Sequence, residues 1–113
     1  FLLKRLKQYR VRHPQYTEVV SVFSMLTDKD IQSVTELLKD HIALWKIAAL
    51  DVPRAAPLAQ LDTALRFNNV QHFDSVKLAF KSALDETNNN QLILVCGSFH
   101  TLEAVWEYLQ ECQ

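Results

Sequence analysis

One glycine, Gly97, stands in the whole sequence. That scarcity excludes Gly-x-x-x-x-Gly-Lys-[Ser/Thr] and Gly-x-Gly-x-x-Gly, because each cradles phosphate with more than one glycine. If the protein uses ATP, the grip on its phosphates lies elsewhere. Cysteine is nearly as rare. Cys96 and Cys112 are too few for a disulfide scaffold or a structural zinc site, and a reducing, cytoplasmic setting is expected. His13, His41 and His72 are scattered without metal-ligand spacing. The formal net charge is −1 with no long block of one sign, which leaves no electrostatic footprint for nucleic acid or an anionic membrane. No apolar run approaches the roughly 18 residues that span a bilayer. Phe1-Leu2-Leu3 is followed at once by Lys4, Arg5 and Lys7, a pattern unlike a signal peptide.

What is present reads as one domain: 113 residues, enough for a real core, with no internal linker or repeat. The chain begins at Phe1, without Met and inside a helical pattern, and is expected to be a piece of a larger protein. Leu2, Leu3, Leu6 and Tyr9 have helical spacing up to His13-Pro14, where proline disfavours the α conformation in the residue before it. Val19 to Met25 and Leu44 to Leu50 read as strands, Val70 to Phe73 as a short one, and 91–96 as a buried parallel strand. Helices are expected from Ile31 to about Asp40, after Pro57, after Asp74-Ser75, and at the end with Leu102, Val105, Trp106 and Leu109 on one face. Trp45 and Trp106 are expected in the core or at a domain interface. Strand and helix alternating in this way predict a parallel sheet with helices on both faces. Ligands bind such sheets beyond the carboxyl ends of the strands, which selects 26–30, 51–55 and 96–101.

In the first segment, Lys29 between Asp28 and Asp30 offers a compact cation to an anionic substrate group. The competing reading is local: Asp28 or Asp30 caps the helix, Thr27 and Asp30 form a capping-box-like pair, and Lys29 is solvated. The two carboxylates are weak grounds for magnesium. In the last segment, Gly97 permits a sharp turn, and Ser98 with the free N–H groups of a helix start suits a carboxylate or phosphate. Against that, Ser98 is equally an N-cap and Gly97 a turn. His100 is a base or donor on one reading and merely exposed or packed on the other. Arg54, in the rigid stretch Asp51-Val52-Pro53-Arg54-Ala55-Ala56-Pro57, either clamps an anion or ties down its loop. Gly-x-Ser-x-Gly is absent, so nothing marks a serine nucleophile.

Ser24-Met25-Leu26-Thr27-Asp28-Lys29-Asp30-Ile31, Pro53-Arg54-Ala55-Ala56, Phe73-Asp74-Ser75-Val76 and Ile93-Leu94-Val95-Cys96-Gly97-Ser98-Phe99-His100-Thr101 occur in that order. Together they resemble the C-terminal domain of bacterial bifunctional folylpolyglutamate synthase/dihydrofolate synthase, within the Mur ligase family, over essentially the whole chain. The resemblance implies a Rossmann-like three-layer α/β domain with a mostly parallel sheet. It implies an ATP-dependent ligase that adds L-glutamate to dihydropteroate or folate through an acyl phosphate. ATP and Mg2+ would be bound mainly by a central ATPase domain of the same chain. This domain would bring glutamate and close over the nucleotide, with Lys29 and Ser98 as the glutamate-binding residues. Asp28, Asp30, Arg54, Gly97 and His100 are possible supporting residues, and none is expected to be catalytic.

Two departures stand out. Ser24 replaces the usual glycine. The Asp-Gly-Ala-His-Asn-Pro segment expected just before Phe1 is missing, so the domain is expected to be N-terminally truncated, to lack one strand, and to be inactive alone. A Mur-type ligase for another amino acid and a non-catalytic small-anion-binding module are the alternatives.

Overall fold

The computed structural model describes residues 2–112. Helix α1 (Leu2–Arg12) leads into β1 (Glu18–Phe23), α2 (Ile31–Leu38) and a 3₁₀ turn (Lys39–His41). Then come β2 (Leu44–Ile47), α3 (Leu58–Ala64), β3 (Val70–His72), α4 (Val76–Glu86), β4 (Gln91–Cys96) and α5 (Phe99–Glu111). The four strands form one sheet in the order β3-β2-β1-β4, every neighbouring pair parallel. The expected three-layer α/β arrangement is therefore present. No helix among the described residues is long and apolar enough to cross a membrane.

Alternation along the strands divides the core. Val19, Phe23, Trp45 and Ile47 pack with Leu6, Ile31, Leu38 and Leu61 on the face that carries α1, α2 and α3. Val22 and Ala48 pack with Val76, Phe80 and Val105 of α4 and α5 on the other. Trp45 is fully buried and meets Phe23 edge-on at 5.2 Å between ring centroids. Such a pair adds about 1 kcal/mol beyond the area it removes from water.

Lys46 is the exception in this core. Its side chain is 1% exposed, and its ammonium donates to Gln71 Oε1 at 2.7 Å, Ser82 Oγ at 3.0 Å and Glu86 Oε2 at 2.9 Å. Three acceptors meet the three N–H bonds of an ammonium, which is what makes a buried lysine tolerable. The arrangement pins α4 to β2 and β3.

Strand order defines the crevice. The chain steps outward from β1 to β2 to β3, then returns to lay β4 on the far side of β1. Open parallel sheets bind ligands at the carboxyl end of such a reversal, here the gap between β1 and β4.

Three details depart from the sequence reading. β1 stops at Phe23 and β2 at Ile47, short of Met25 and Leu50. Among the described residues β4 pairs only with β1 and lies at the sheet edge, with Gln91 to Val95 only half-buried. On α5, Val105 and Thr101 face the core, whereas Phe99, Leu102, Trp106 and Leu109 form an exposed stripe. Trp106, 64% exposed, is thus not a core residue.

Candidate functional site at the carboxyl ends of β1 and β4

The chain leaving β1 does not wander. The Met25 carbonyl accepts a hydrogen bond from the Ala56 N–H at 3.0 Å, and Leu26 forms an antiparallel bridge with Ala55. The Thr27 N–H donates to the Arg54 carbonyl at 2.8 Å. Side chains repeat the tie. Arg54 Nη1 donates to Asp28 Oδ2 at 2.7 Å, and Thr27 Oγ1 donates to Gln60 Oε1 at 2.7 Å. The Arg54–Asp28 pair is exposed, so it contributes little to stability and acts mainly to fix geometry.

The next two residues have different work. Asp30 is the N-cap of α2, accepting from the Ser33 N–H at 3.1 Å and Ser33 Oγ at 2.7 Å. These hydrogen bonds, the hydroxyl's first, hold its carboxyl below the usual carboxylate range. The expected Thr27–Asp30 capping-box-like pair is not made, because Thr27 turns to Gln60 and Asp30 to Ser33. With Asp28 engaged by Arg54, neither aspartate is left as a bare carboxylate for a metal. Lys29 is exposed, and its ammonium forms none of the ion pairs among the described residues.

At the end of β4, Gly97 has φ +123° and lies against the Ser24 backbone. Only glycine fits a left-handed conformation with that contact. Ser98 is the N-cap of α5, its Oγ accepting from the Thr101 N–H at 3.3 Å. Thr101 Oγ1 lies 3.2 Å from Ser98 Oγ and donates to the Ser24 carbonyl at 2.9 Å. The local reading of Ser98 and Gly97, cap and turn, is therefore realised, and Thr101 joins both to the end of β1. Register places Phe23 opposite Cys96, so the loop carrying Lys29 and the cap Ser98 leave neighbouring strands at one end of the sheet.

Lys29 borders a groove of about 370 Å³ with Gln60, Gln32 and Thr63. Ser98 is not among the residues that line that groove. His100 borders a separate one of about 290 Å³ with Asp51, Asp74, Lys77, Glu103 and Glu107. Among the described residues, no three His, Cys, Asp or Glu side chains gather where a metal ion would be held. The sequence singles out neither Gln60 nor Thr101 as a site residue. Thr101 was within reach of it, three residues after a candidate cap. Nothing in spacing connects Gln60 to Thr27, 33 positions away.

Residues 2–99 match the family described as Mur ligase, glutamate ligase domain. The dihydrofolate synthase/folylpolyglutamate synthase of Escherichia coli (strain K12) is 38% identical over 96 residues, covering 85% of this chain and 22% of that protein. The structure of E. coli FolC in complex with ADP, without folate substrate, superposes with a TM-score of 0.85 at 35% identity, covering 96% of this chain and 26% of that one. A bifunctional folylpolyglutamate synthase/dihydrofolate synthase with Mn, AMPPNP and L-glutamate bound gives 0.77 at 33% identity, covering 90% and 25%. The chain thus spans about a fifth of the length of the curated relative it matches.

Proposed function

This chain belongs to the Mur ligase family as a glutamate ligase domain, and from that premise we propose that it forms the glutamate-side wall of an ATP-dependent ligase. The enzyme carrying it joins L-glutamate to dihydropteroate or folate by an amide bond. Lys29 receives one carboxylate of glutamate, and Ser98 with the first turn of α5 receives polar groups of the same substrate. Orienting the amine in this way is a large part of what an amide-forming enzyme has to supply.

The observation that carries the reading is the Lys29 loop. A lysine with no acceptor among the described residues stands on a strapped turn, at the same end of the sheet as the capped start of α5, where the strand order reverses. A cation carried on a fixed backbone and left unpaired suits a carboxylate ligand.

The residues of this chain do not fit a magnesium–nucleotide site. It has a single glycine, Arg54 engages Asp28, and Ser33 engages Asp30. ATP and Mg2+ therefore belong, in this proposal, to other parts of the enzyme, and the domain closes over the nucleotide they hold.

Steady-state kinetics of the enzyme that carries this domain test the assignment. Lys29→Ala is expected to raise the glutamate KM about tenfold or more, the loss of one charge-assisted hydrogen bond, and to leave the ATP KM nearly unchanged. A wild-type enzyme that forms no glutamate conjugate would contradict the function. A Lys29→Ala enzyme with wild-type glutamate kinetics would contradict the site.

A further inference from the structure

The groove beside Lys29 contains a second unused donor. Its other polar side chains are already committed. Asp30 accepts from Ser33, Gln32 Nε2 donates to Glu36 Oε1 at 3.2 Å, and Thr63 Oγ1 donates to the Ala59 carbonyl at 3.0 Å. Gln60 differs. Its Oε1 takes the Thr27 hydroxyl at 2.7 Å, while its Nε2 meets no acceptor among the described residues. Both N–H bonds of the amide are left to offer. The groove therefore presents an ammonium and an amide donor beside the Asp30 carboxylate, whose two oxygens already accept from Ser33.

We propose that Gln60 is a glutamate-binding residue, donating from Nε2 to the same carboxylate that Lys29 holds. The inference rests on the reading of Lys29 given above. Thr27 then has a purpose beyond the loop: by occupying Oε1 it fixes which end of the amide faces the ligand. A lysine alone attracts any anion as a point charge, whereas lysine with a directed amide selects an acceptor that takes two donors. Gln60 lies in the first turn of α3, anchored beside the strap that carries Arg54, so the donor sits on a fixed element.

The test uses glutamate KM, ATP KM and melting temperature for Lys29→Ala, Gln60→Ala and Gln60→Glu in the enzyme that carries this domain. The Gln60→Glu exchange keeps the side chain's shape and the acceptor for Thr27 but replaces the donor with a negative charge, and an acid suits the first turn of a helix. Gln60→Ala is expected to raise the glutamate KM by about threefold to tenfold. Gln60→Glu is expected to raise it further, with the melting temperature and the ATP KM held. A Gln60→Glu enzyme with wild-type glutamate KM would show that the residue only latches the loop, and would overturn the inference. If Lys29→Ala is also without effect, the parent reading of the site fails and this inference with it. A Lys29→Ala defect with no Gln60 defect removes this inference alone.

Discussion

The carbonyl of Ser24 fills the space that a Cβ on Gly97 would need: the added carbon would overlap the oxygen and stand 2.8 Å from the carbonyl carbon. The same carbonyl accepts the Thr101 hydroxyl, so the end of β1 and the start of α5 are built around one contact. Gly97→Ala must therefore separate the strand ends or strain the backbone. A loss on the order of 3 kcal/mol is expected, from the left-handed conformation and the overlap together. Chemical denaturation of the variant checks it, and a midpoint equal to wild type would mean the two strand ends are not in this contact.

Glu86 makes stability depend on pH. Lys46, by its hydrogen bond first and its charge second, holds the Glu86 carboxyl below its ordinary value of 4.5. A carboxyl lowered by folding adds stability above its unfolded value, and that stability is lost as pH falls through the lower folded value. Wild type is expected to melt above Glu86→Gln near neutral pH, and the gap is expected to close as pH drops below 4.5. A gap that stays constant into acid would show that the Lys46–Glu86 pair contributes nothing specific to charge.

The two cysteines are expected to behave differently toward alkylating reagents. Burial pushes the Cys96 thiol up to about 11, against a smaller opposing effect of its hydrogen bond with Ser21, while Cys112 is exposed. Thiolate is the reactive form, so at mildly alkaline pH only Cys112 should be labelled in the native chain. Both should react after denaturation. Rapid labelling of Cys96 in the native state, read by peptide mass spectrometry, would contradict its position in the core.

Local patterns made much of this fold legible. Val19 to Phe23, Ser75 before α4 and the helix after Pro57 follow from β-branched runs, cap chemistry and apolar spacing. Relations across the chain were not legible. Met25 looks like strand by composition, yet its backbone pairs with Ala56, because the turn after β1 meets the loop after β2. Periodicity grouped Leu102, Val105, Trp106 and Leu109 on one face of α5, yet Val105 is buried and the other three are exposed, because spacing does not say where on the helix the core begins. Lys29 and Ser98 could be nominated from their places after strands. The strap that holds one and the Thr101 contact that holds the other depend on tertiary geometry.

Ser75 and Ser98 provide the most direct test, because they are matched helix caps. Each Oγ accepts the N–H three residues on, from Leu78 at 3.1 Å and from Thr101 at 3.3 Å. Alanine at either position removes one cap and costs about 1 kcal/mol of stability. Only Ser98 lies at the proposed glutamate site. The measurement is the glutamate KM of both variants in the enzyme that carries this domain, at saturating ATP. The expected result is a rise of about tenfold for Ser98→Ala, with Ser75→Ala within about twofold of wild type. Equal values for the two variants would mean that Ser98 is a cap and nothing more, and would contradict its place in the glutamate site.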